Sequence, residues 1–117
     1  MKIKEKQPPR TYKCGINNQI EIKDCAQIEL RSDEQVTFMV GASEYDVTRK
    51  SWGYYATPSL NSRLVSFGFR GCLVRNKNTS RRYIFLMQVG KEKEFQAYLD
   101  VENIEVVSWL DEEILGS

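Results

Sequence analysis

The sequence predicts a small single α+β domain, mainly antiparallel β-sheet arranged as a meander plus a hairpin, with two short helices. Three observations predict it. The first half is dominated by short segments with apolar residues at every second position, separated by turn-forming residues. Two later segments, near 57–68 and 90–99, instead space their apolar residues three and four apart. The length of 117 residues, 41% hydrophobic and 28% charged, suits one globular domain burying about two-thirds of its unfolded surface.

The elements follow in order. Residues 1–11 carry lysines, a glutamate and two prolines with Ile3 as the one branched apolar residue, which predicts a flexible lead-in. The domain proper is expected over 12–110, with 111–117 as an acidic tail. Gln19–Lys23 alternates through Ile20 and Ile22, and Ala26–Leu30 through Ile28 and Leu30, so two strands are expected. Gln35–Val40 follows the turn-like Ser32-Asp33-Glu34, Glu44–Arg49 alternates through Tyr45 and Val47, and Trp52–Ala56 is aromatic. These five strands read as a meander. Thr57 then suits a helix cap, Pro58 a first helical residue and Gly68 a stop, while Leu60, Leu64 and Phe67 share one helical face. Phe69–Arg75 and Arg82–Val89 read as a hairpin around a polar loop at 76–81. Tyr83–Met87 is apolar on both faces, which predicts cover on both sides. Gly90–Leu99 reads as a helix through Phe95, Tyr98 and Leu99, and Ile104–Leu110 as the last strand. The hairpin, helix and last strand are expected to pack as one sheet with helices on one face.

Net charge is +1, but its distribution is uneven. Residues 61–90 hold Arg63, Arg70, Arg75, Lys77, Arg81 and Arg82 and no acid, whereas 91–117 hold two lysines and eight acids. The two segments either pair with each other or leave a basic face for an anionic partner. No secretory signal or membrane-length apolar run is visible, so a cytoplasmic location without membrane association is expected, and Cys14, Cys25 and Cys72 are expected as thiols.

The absence of histidine removes Ser-His-Asp and Cys-His catalysis and His-containing zinc sites. Three cysteines without a Cys-x-x-Cys pair do not suggest a Cys-only zinc site, and no glycine-rich phosphate loop is present. No cofactor or metal is expected. Cys72, within a strand, reads as a core residue. Glu44 and Asp46, two apart on a strand, form the one carboxylate pair suited to acid–base work or a hard cation; a solvated strand face is the simpler explanation.

The run from Lys50 to Leu64 gathers the most groups able to hold a ligand. Strand alternation puts Trp52 and Tyr54 on one face and Tyr55 on the other. The helix start beyond Pro58 offers backbone N–H groups to an anion, with Asn61 and Arg63 in its first turns. The expected ligand-binding residues are therefore Trp52, Tyr54, Asn61 and Arg63, and the expected function is a non-catalytic binding or accessory domain. Its ligand would be a small anion (phosphorylated, nucleotide-linked or a sugar acid) or else a protein partner. Ordinary packing of the rings is the competing explanation. Nucleic-acid binding through Arg75, Lys77, Arg81 and Arg82 at the hairpin tip is the first alternative, against which the near-zero net charge counts. A small histidine-free enzyme using Glu44, Asp46 or Cys14 with Arg63 is the second. Exposed β-edges and aromatics also suit a homodimer.

Overall fold

A computed structural model describes residues 1–112 of the chain. The protein is α+β and mainly antiparallel β, as the patterning predicts. It divides into two compact units that interleave along the sequence: residues 1–35 with 48–55, and residues 36–47 with the chain from 56 onward. Among the described residues, no helix is long and apolar enough to cross a membrane.

The first unit is built around a two-stranded ribbon, β1 (Lys2–Cys14) and β2 (Ile20–Glu29), joined through a 3-10 turn at Ile16–Asn18. Pairing runs from Lys2↔Glu29 to Glu5↔Ala26, and resumes from Arg10↔Asp24 to Cys14↔Ile20. Pro8 and Pro9 fall in the register shift between, where their missing N–H groups leave no ladder bond to lose. The expected lead-in at 1–11 is therefore strand, and the two short strands expected at 19–23 and 26–30 are one. The reason is long-range: β1 gains its backbone bonds from a segment some twenty residues on, and Lys6 and Arg10 both reach Asp24, at 2.5 and 3.2 Å. That arrangement, led by the Lys6 hydrogen bond, holds the Asp24 carboxyl below its ordinary range.

β3 (Gln35–Val40), β4 (Ser43–Lys50) and β5 (Gly53–Ala56) form a sheet in that order. Gly41 opens the two-residue β3–β4 loop at φ 57°, a conformation that favours glycine and suits a tight hairpin. In the first unit, Arg49 N donates to Glu34 O at 3.0 Å and Thr48 Oγ1 to Gln35 Oε1 at 3.1 Å. In the second, Thr37 Oγ1 donates to Asp46 Oδ1 at 2.5 Å.

The second unit centres on β6 (Phe69–Asn76), flanked by β7 (Arg82–Gln88) and β8 (Ile104–Trp109), all antiparallel. Cys72 lies opposite both Phe85 and Trp109, so these three share a face. Helix α2 (Glu92–Glu102) covers that face through Phe95 and Tyr98, whose rings lie 6.3 and 6.2 Å from Phe85, with Phe95 6.1 Å from Trp109. Glu92 and Glu94 occupy its positive end, and Asn103, left-handed at φ 54°, closes it.

The other face carries Gly71, where an added Cβ would stand 3.2 Å from Leu60 and 3.7 Å from Leu64. The missing side chain lets helix α1 (Arg63–Ser66) lie close to β6. The two helices thus lie on opposite faces of the sheet, not on one as expected. A single helical turn is too short to cover β7 fully, and Ile84 is exposed. Leu64, Cys72 and Val74 have no solvent exposure and, with Met87 and Leu99, form the core.

Helix α1 is shorter than the 57–68 span expected. Thr57 N donates to Asp46 O at 2.9 Å, which ties the would-be cap to β4, and Pro58 is buried. Helical bonding begins only after Ser59, whose Oγ accepts from Arg63 N at 2.9 Å. Gly68 ends the turn at φ 94°, as expected. The acidic tail also differs from expectation at its start, because Asp111 and Glu112 both bond Arg70. The remainder of that tail, 113–117, lies outside the described residues.

Candidate binding site

The rings of the Lys50–Leu64 run are exposed rather than packed away. Trp52 is 70% exposed, Tyr54 55% and Tyr55 43%. Trp52 stands in the β4–β5 turn just before Gly53, whose φ of 146° favours glycine. Strand alternation therefore does not govern it. It stacks on Tyr55 with ring centroids 6.3 Å apart and an interplanar angle of 29°, so the ring pair is Trp52–Tyr55 and not Trp52–Tyr54. Tyr54 instead lies under Arg49, whose guanidinium carbon is 5.8 Å from the ring centroid.

Two cations flank these rings. Lys50 Nζ lies 2.5 Å from Asp33 Oδ1, and that hydrogen bond raises the lysine above its ordinary range. Arg49 differs: its Nη1 is buried and bonds no acceptor. A guanidinium cannot shed its charge, so this nitrogen is a donor in want of an acceptor.

Asn61 and Arg63 belong to the second unit, whereas Trp52 and Tyr54 belong to the first. Within the second unit, Arg63 is exposed, with its guanidinium carbon 5.3 Å from the Phe67 ring centroid; Asn61 is exposed. The expected anion cradle at the helix start is absent. Arg63 N is bonded to Ser59 Oγ and Leu64 N to Ser59 O, both at 2.9 Å, and the helix has only four residues.

The basic hairpin is divided between structural and free cations. Arg75 Nε donates to Glu105 Oε1 at 2.9 Å, joining β6 to β8 across the sheet. Arg70 similarly grips Asp111. Lys77, Arg81 and Arg82 are exposed and have no ionic partner among the described residues. The loop carrying them is held firmly. Asn76 Oδ1 accepts from Asn78 N and Thr79 N at 2.9 and 3.1 Å, and Asn103 Nδ2 donates to Asn78 Oδ1 at 2.8 Å. Exposed Tyr83 lies just beyond.

The other chemical candidates take structural roles. Asp46 is buried and bonded to Thr37, so Glu44 and Asp46 do not present a shared open carboxylate pair. Burial raises the Cys72 thiol above its ordinary range and disfavours the nucleophilic thiolate. Among the described residues, no group of three or more His, Cys, Asp or Glu is placed to hold a metal. The sequence pattern pairs Trp52 with Tyr54, whereas the structure pairs it with Tyr55; the glycine three residues after the strand-ending Lys50 was the available signal of a turn. In comparisons with known proteins, no family model, curated protein or solved structure matches the chain.

Proposed function

We propose that the protein is a non-catalytic cytoplasmic binding domain whose recognition element is the aromatic tip of the β4–β5 hairpin. The Trp52–Tyr55 stack carries the reading: a tryptophan 70% exposed and ordered against a second ring presents a flat apolar surface to solvent. Such a surface stacks on a sugar or a base, while the Tyr55 hydroxyl and neighbouring Lys50 meet polar or anionic groups attached to that ring. A phosphorylated sugar, a nucleotide-linked compound or a sugar acid combines these features. Tyr54 holds Arg49 on the opposite face of β5 from Tyr55, and Asn61 and Arg63, in the second unit, are not part of this element.

A panel of sugar phosphates, nucleotides and uronic acids screened by thermal shift tests this, followed by titration under tryptophan fluorescence. Trp52→Ala should weaken binding of a hit about tenfold, equivalent to about 1.4 kcal/mol. Trp52→Phe should retain binding while removing the fluorescence response. A hit bound equally well by folded Trp52→Ala and Tyr55→Ala variants would place recognition elsewhere.

A second reading, single-stranded nucleic acid held by the 76–82 loop, is favoured by the free cations Lys77, Arg81 and Arg82 beside exposed Tyr83. Arg75 is not part of it, since Glu105 already neutralises that residue. This reading requires binding that strengthens as salt is lowered and is lost on joint replacement of Lys77, Arg81 and Arg82.

A further inference from the structure

We propose that β3 is the seam of a homodimer in which two copies pair their β3 strands antiparallel about Phe38. β3 is the edge of its sheet, next to β4 alone. Its register on β4 is fixed from both ends. Arg49 N bonds Glu34 O, the side chains of Thr48 and Gln35 meet, those of Thr37 and Asp46 meet, and a two-residue loop follows Val40. Antiparallel ladders alternate between bonded and non-bonded pairs. With residue 34 bonded to 49, residues 36, 38 and 40 turn their N–H and C=O towards β4. Residues 37 and 39 turn theirs outward, an open row of donors and acceptors.

The side chains flanking this row are apolar on both faces of the sheet: Phe38 is 53% exposed, Met39 65% and Val40 53%. Edge strands are ordinarily blunted by charge or proline. The stretch from Gln35 to Ser43 contains neither.

The symmetry of the strand selects a second copy as the occupant. Centred on Phe38, self-pairing sets Val36 of one copy opposite Val40 of the other, Thr37 opposite Met39, and Phe38 opposite its own counterpart. Val36–Val40 is a β-branched pair and Phe38–Phe38 an aromatic one, and no like charges are opposed. The outward groups of Thr37 and Met39 supply the central hydrogen bonds, and the result is an isologous two-fold interface. The other edges suit self-pairing less well: β5 has only four residues, and β7 begins at Arg82 beside Arg81 and is followed by Lys91, cations that antiparallel self-pairing would gather together. The β3 seam is short, below the ~800 Å² per partner of a standard interface, so the dimer is weak and sensitive to dilution.

Sedimentation velocity over roughly two decades of protein concentration, together with amide hydrogen exchange, tests the seam. The expected result is a monomer that becomes a dimer as concentration rises. The Thr37 and Met39 amides should slow only in the dimer, while those of Val36, Phe38 and Val40 stay slow throughout. Met39→Pro removes an outward N–H without touching the ladder to β4, and Phe38→Lys opposes two like charges; each should weaken the dimer at least tenfold. A monomer at every concentration overturns the proposal. So does a dimer indifferent to both substitutions whose Thr37 and Met39 amides exchange freely. Circular dichroism establishes that the variants fold; if Met39→Pro does not, Phe38→Lys and the wild-type exchange pattern decide.

Discussion

Replacing Arg70 should expose how the chain fastens its C-terminal segment to the sheet. Arg70 Nε donates to Asp111 Oδ2 at 2.7 Å and Nη2 to Oδ1 at 2.9 Å, a two-pronged grip on a carboxylate only 14% exposed. The guanidinium carbon also sits 4.1 Å from the centroid of the Trp109 ring, and Nη2 reaches Glu112 at 3.4 Å. Charge-assisted hydrogen bonds in this setting contribute about 1.5–3 kcal/mol net, and the ring contact about 0.5–1 kcal/mol. Arg70→Ala removes both and strands the Asp111 carboxylate, so a loss of ~2–4 kcal/mol is expected. Arg70→Lys keeps the charge but neither the fork nor the flat stack, and should lose ~1–2 kcal/mol.

Urea unfolding followed by Trp109 fluorescence and by circular dichroism measures both variants. At about 4 °C per kcal/mol for a chain of this size, Arg70→Ala should also melt ~8–15 °C lower. The effect depends on pH with a definite sign. Arg70 holds the Asp111 carboxyl below its ordinary range, so the stabilisation is complete above the unfolded value near pH ~4 and is lost as pH falls through the folded one. The gap between wild type and Arg70→Ala should therefore be full at neutral pH and close progressively under acid. An Arg70→Ala variant within about 0.5 kcal/mol of wild type at neutral pH would refute the reasoning, and an Arg70→Lys variant equal to wild type would refute the role of the fork.

Two further substitutions test other parts of the fold. Gly68→Ala should destabilise by ~1–3 kcal/mol, because φ 94° strains an L residue and the new Cβ would collide with Ser43 Oγ; adding Ser43→Ala should recover only the steric part. A chemical unfolding series of the two single variants and the double variant separates the contributions. Thiol labelling should modify exposed Cys25 rapidly in the native state, while buried Cys72, its thiol pushed up by burial, should react only on unfolding; fast native labelling of Cys72 would contradict its core position.

The sequence by itself determined the elements from β3 onward except α1. Alternation and β-rich or apolar runs bounded by turns placed β3, β4, β6, β7 and β8 within about two residues, and the Phe95, Tyr98 and Leu99 spacing placed α2, because in these segments burial coincides with the local pattern. It also offered pairing of the basic and acidic segments as one of two readings, and Arg70–Asp111 and Arg75–Glu105 realise it. What it did not contain was partnership. β1 reads as a charged, proline-broken lead because its stability comes from β2, not from its own pattern. Thr57 and Pro58 carry helix-start chemistry, yet a backbone bond to Asp46 holds Thr57 to the sheet and defers the helix. The Trp52–Tyr55 stack depends on a turn that removes Trp52 from strand alternation. Local periodicity records which face of a segment is buried. Which segment buries it, and which rings and cations are left exposed, is decided by contacts between residues far apart in the chain.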